Sequence, residues 1–178
     1  MDDLRETVDA ALGGLERVAA KIPGYKGYKE KELRREADKL LRTEMAGKFD
    51  DQRKHLSELQ VQLVSQGKIE FVDDLGRAVT KLQLLIDRIT TAAYGYAGLF
   101  DAVKVKEDQL DALYEFDNQM LDYVDEIAAG VDKVASAISV EEGILEASSE
   151  LVETITEANT AYKHREEAIL RTTAYEDL

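Results

Sequence analysis

Cysteine and tryptophan are absent from this 178-residue chain, proline occurs once and histidine twice. Without cysteine there is no disulfide, no thiolate metal site and no cysteine nucleophile. Long hydrophobic runs are missing as well. The longest stretch without charge, Ile89 to Phe100, covers twelve residues and includes two threonines and two glycines. A membrane-spanning helix needs roughly 20 apolar residues. The opening Met1-Asp2-Asp3 is acidic where a secretory signal would be basic, so a cytoplasmic chain is expected.

What is present favours helices. Apolar residues make up 44% and charged residues 34% of the chain, a mixture suited to long helices with solvated outer faces. The net charge of −14 is unevenly placed. Residues 1–97 hold 17 basic and 17 acidic side chains, whereas residues 98–178 hold 6 and 20. Nucleic acid is therefore an unfavourable partner, because binding it needs a basic field. The acidic half calls for a basic partner surface or for the chain's own basic segment.

Apolar spacing divides the chain into five helical segments forming an all-α, elongated antiparallel bundle with coiled-coil-like seams, expected as one domain over residues 1–178. In residues 2–22, Leu4, Val8, Ala11, Leu15, Val18 and Ile22 recur every three or four positions, the mark of a 3.5-residue seam. Pro23-Gly24 stops this helix. A second helix over 28–66 carries Leu41, Met45, Gln52, Leu56, Leu59 and Leu63, and Gly67 either ends it or bends it. The third, over 69–94, shows Val72, Leu75, Val79, Leu82, Ile86 and Ile89. The fourth, over 107–137, is marked by Leu110, Leu113, Phe116, Met120, Ile127, Val131 and Val134. The fifth, over 140–172, has a thinner stripe of Leu145, Val152, Ile155, Tyr162 and Ile169. Ser139 is its expected N-cap, with Glu142 completing a capping box.

Two segments stand out as candidate interaction sites. In the first, Pro23, Gly24, Tyr25, Lys26, Gly27 and Tyr28 form a corner ahead of Arg34 and Arg35. Residues 21–42 hold eight basic and four acidic side chains. The arginines offer planar donors and the tyrosines a stacking face for an acidic surface. The plainer reading packs the tyrosines on the bundle and pairs charges along the helix, for example Arg34 with Asp38. The run Ile22-Pro23-Gly24-Tyr25-Lys26-Gly27-Tyr28, continuing to Lys31-Glu32 and Arg34-Arg35, resembles a segment of uncharacterised prokaryotic helical proteins, of the form I-P-G-Y-x-G-Y-x-x-K-E-x-R-R. The resemblance implies a helical, coiled-coil-like protein and brings no activity with it. In the second segment, Tyr94, Tyr96 and Phe100 alternate with Gly95 and Gly98, either as an adaptable sticky surface or as a glycine-capped helix end.

Catalytic signatures are missing. There is no phosphate-binding glycine loop, no nucleophile elbow and no calcium loop. A di-iron bundle needs Glu-x-x-His pairs, but Gln52 precedes His55 and Ala161 precedes His164 by three positions. No catalytic, cofactor or metal residue is assigned. The reading is a non-enzymatic helical adaptor or scaffold whose partner is another protein or a second copy of itself as a homo-oligomer. One alternative rests on a more basic N-terminal hairpin followed by an acidic helical region. That outline is similar to the ESCRT-III and phage-shock coiled-coil families and implies peripheral attachment to an anionic membrane surface. A helical-bundle metalloprotein is the second alternative.

Overall fold

A computed structural model describes Gly13, residues 15–25, Gly27, residues 34–92 and residues 107–174. Among the described residues there are five α-helices and no strand. They are α1 (residues 15–21), α2 (Arg34–Ser65), α3 (Val72–Thr91), α4 (Glu107–Val140) and α5 (Ile144–Ala174). A short 3₁₀ turn, Ile69–Phe71, precedes α3.

The helices pack as two antiparallel hairpins, α2–α3 and α4–α5, laid side by side so that α3 lies on α5 and α2 on α4. Across the hairpins the neighbours run parallel. Asp38 and Asp117, near the starts of α2 and α4, meet the same arginine, Arg165. Lys68, just past the end of α2, meets Glu141 just past the end of α4. The expected bundle is therefore present, with antiparallel pairing confined to each hairpin.

The apolar seams account for this packing. Leu41, Met45, Phe49, Leu56, Leu59 and Leu63 of α2 are buried, as are Leu75, Leu82, Ile86 and Ile89 of α3 and Leu113, Met120, Ile127, Val131 and Val134 of α4. Burying a side chain of this size contributes about 1.5–3 kcal/mol before entropy is counted. Leu145 departs from expectation: it is exposed, and Ile144, Ala147 and Leu151 take the inner face of α5 instead.

Both hairpin turns follow from their termination chemistry. Gly67 ends α2 and does not bend it. At φ +75° it adopts the left-handed conformation, its N–H donates to the Val64 carbonyl at 3.1 Å, and the Lys68 N–H donates to that of Leu63 at 2.9 Å. These two bonds make a Schellman cap. At the other turn the expected Ser139 capping box does not form. Ser139 stays inside α4, its hydroxyl donating to the Ala135 carbonyl at 3.0 Å. The helix runs on until Glu141 takes φ +61°, with the Glu142 N–H reaching back to Ala137 at 3.1 Å. The left-handed residue sets the end of α4, so Ser139 cannot start α5.

Helix α1 lies along α4. Arg17 pairs with Glu115 at 3.5 Å, and Lys21 reaches both Asp122 and Asp125 at 2.9 Å. Burial pulls the Lys21 ammonium down, but hydrogen bonds to the two aspartates and their charge outweigh it, so its pKa stands above the ordinary 10.5. Part of the acidic half is thus met by the chain's own basic residues.

Candidate functional site

The two ends of the hairpin pair differ in chemistry. At the end where α2 and α4 begin, charge is sealed inside. Arg165 of α5, with a fully buried side chain, donates through Nε to Asp117 Oδ1 at 2.8 Å and through Nη2 to Asp38 Oδ1 at 3.0 Å. Asp38 Oδ2 accepts from Arg42 Nε at 2.7 Å, and Arg42 Nη1 donates to the Ile89 carbonyl at 3.2 Å. That carbonyl belongs to the last turn of α3, where acceptors lack a partner within the helix and a cation is favoured by the helix dipole. Two arginines and two aspartates make a neutral quartet that touches all four long helices. Asn118 beside it donates to the Tyr114 carbonyl at 2.8 Å.

Asp38, which the plainer sequence reading offers as an i,i+4 partner for Arg34, is buried and engages Arg42 and Arg165. The reason is register. Asp38 precedes Leu41 and Met45 on the α2 seam, Asp117 lies between Leu113 and Met120 on the α4 seam, and Arg165 follows Ala158 and Tyr162 on the α5 seam. Charged residues at seam positions on three helices are the signal that could have revealed the quartet.

Of the 22–28 corner, residues 22–25 and Gly27 are described, and they sit beside this end. Tyr25 and Gly27 are buried, while Pro23 and Gly24 are exposed. At Gly27 the backbone has φ +81°, and an added Cβ would stand 2.5 Å from Leu15 Cδ1 and 2.6 Å from Tyr114 Oη. Only glycine fits such a close approach in that conformation. Arg34 and Arg35 open α2, their side chains outside the described part. Lys26, Tyr28, Tyr94, Tyr96 and Phe100 also lie outside the described residues. His55 is half-buried and His164 exposed. Among the described residues, no three Asp, Glu or His side chains converge as a ligand set, and no helix is long and apolar enough to cross a membrane.

At the opposite end, where both hairpins turn, apolar side chains face outward. Among the described residues six large hydrophobic side chains are exposed, and five of them lie here: Val61, Val64, Ile69, Val140 and Leu145, from 53% exposed at Leu145 to 70% at Val140. Leu84, midway along α3, is the sixth. Val61 and Val64 share one face of α2 at i,i+3 spacing. Ile69 sits in the 3₁₀ turn, Val140 is the last residue of α4, and Leu145 is in the first turn of α5. The Lys68–Glu141 ion pair, at 3.1 Å, holds the two turns together. Glu70, Asp73, Glu142 and Glu146 are exposed around them. Lys68 is the only cation in residues 66–73 and 139–146, and Glu141 neutralises it. A groove of about 550 Å³ beside this end, lined by Gln60, Val72, Gly76 and Thr80, carries both signs of charge in Asp73, Arg77 and Lys81.

No protein-family model, no curated protein and no solved structure matches this chain.

Proposed function

We propose that this chain is a non-enzymatic, cytoplasmic helical adaptor that works by protein–protein contact through the end of the bundle where its two hairpins turn. One observation carries the reading: five of the six exposed large hydrophobics among the described residues gather at that end. Singly scattered apolar residues are ordinary on a protein surface, whereas a cluster rimmed by polar groups marks an interaction site. The buried quartet at the other end supports the same view: its two arginines and two aspartates pair among themselves and join helices. An anionic membrane is the weaker alternative, because the exposed glutamates of the turns would face like-charged headgroups.

The test is a tagged full chain expressed in its native cells and fractionated by size. The wild type elutes in a discrete assembly heavier than the purified chain, and Ile69→Ser/Val140→Ser elutes as free chain with an unchanged unfolding midpoint. Co-elution of both forms with the purified chain contradicts the reading.

A further inference from the structure

We infer that the turn end docks a basic amphipathic helix or segment of a partner protein, its apolar side on Val64, Ile69 and Val140 and its cations on the surrounding carboxylates. This deepens the adaptor reading and rests on it. Charge complementarity selects the occupant. Four carboxylates in and just after the same two turns, Glu70, Asp73, Glu142 and Glu146, are exposed, and no ion pair among the described residues neutralises them. The one cation of the two turns is held by Glu141. A lysine- or arginine-bearing segment would bury its apolar face and place its charges where the field is already negative. The chain's overall charge of −14 steers such a segment during encounter.

The same observation disfavours the other occupants. A symmetric dimer through this end would set the patch against itself. Both sets of four carboxylates would then share one partly dehydrated seam, where like charges repel strongly. An anionic bilayer meets the same repulsion.

The experiment uses the full chain with methyl-labelled Ile, Leu and Val, titrated with three synthetic peptides. Each is an amphipathic helix of about 18 residues with the same leucine face, and the polar face carries Lys, Gln or Glu. Vesicles of phosphatidylserine and phosphatidylcholine form a fourth arm, and light scattering against concentration a fifth. The Lys peptide shifts the methyls of Val64, Ile69 and Val140 and binds about tenfold tighter than the Gln peptide, while the Glu peptide binds least. Ile69→Ser/Val140→Ser weakens the Lys peptide about tenfold, and Leu84→Ser leaves it unchanged. Glu142→Lys/Glu146→Lys reverses the preference between Lys and Glu peptides.

Equal binding of Lys and Gln peptides at these methyls overturns the basic partner and leaves the contact surface standing. Shifts confined to the acidic faces of α4 and α5 overturn the docking site, and the adaptor reading survives if the native assembly still needs Ile69 and Val140. The same methyl shifts from the vesicles, or a dimer abolished by Ile69→Ser/Val140→Ser, overturns the inference in favour of lipid or a second copy. Failure of every arm, together with co-elution of wild type and variant from native cells, removes both readings.

Discussion

Replacing Arg165 by methionine removes a guanidinium that stands between two buried carboxylates. Asp38 and Asp117 have side-chain exposures of 2% and 0%, and their contacts to Arg165 measure 3.0 and 2.8 Å. Breaking a buried ion pair from one side costs about 3–5 kcal/mol, because the remaining charge keeps its desolvation penalty. Typical domains have roughly 5–15 kcal/mol of stability in total. With a urea m-value of roughly 2 kcal/mol/M, the unfolding midpoint followed by circular dichroism falls by about 1.5–2.5 M. Arg165→Met/Asp117→Asn recovers about 1–3 kcal/mol, because neutralising Asp117 relieves the stranded charge. The exposed pair Lys133–Glu150 serves as the control. Lys133→Met changes stability by less than about 0.5 kcal/mol. A cost below about 1 kcal/mol for Arg165→Met, or a double variant that simply sums the singles, would refute the claim that the quartet locks this end.

Other substitutions probe the turns and the charge pattern. Gly47 lies in an open stretch of α2 with ordinary helical backbone, so Gly47→Ala stabilises by about 0.5–1 kcal/mol in the same denaturation assay. Gly67→Ala, equally free of clashes but at φ +75°, destabilises by about 1 kcal/mol through strain alone. Gly27→Ala combines φ +81° with contacts of 2.5 and 2.6 Å and costs about 2–3 kcal/mol. The alkaline limb has a definite sign. Lys21 titrates above 10.5, and Tyr123 above 10.0 because of its burial and the charges of Glu157 and Glu126. Both groups therefore stay protonated longer in the folded chain, and stability falls as pH rises from about 10 through their folded values. Lys21→Met and Tyr123→Phe flatten that limb in a pH series of urea midpoints.

The seams were legible because they obey a spacing rule that large apolar residues report directly. Leu75, Leu82, Ile86 and Ile89 of α3 needed nothing beyond their own positions. The α5 seam was harder. Ala147, Ser148, Ala158, Asn159 and Arg165 line it, and small or polar residues at seam positions do not announce burial. Asn159, for instance, is held by a bond from Arg88 at 3.3 Å and by its own donation to the Lys81 carbonyl at 3.2 Å. Arg165 is buried only because Asp117 and Asp38, 48 and 127 residues away in sequence, meet it there. The end of α4 was misplaced because Ser139 and Glu142 fit a capping pattern, while the left-handed Glu141 that stops the helix has no side-chain signature. The exposed turn end was hidden for a related reason. Leu145 fits the α5 stripe by spacing and Val140 opens the expected fifth helix, and only the position of the α4–α5 turn puts both outside.

The central claim is that contact with a partner occurs at the turn end. In-cell photo-crosslinking tests it most directly, with a photoreactive amino acid placed at Val140 in one chain and at the exposed Glu153 of α5 in another. The account predicts a discrete second polypeptide joined at position 140 and absent at 153. No adduct at position 140, or adducts of equal yield at both, would contradict it.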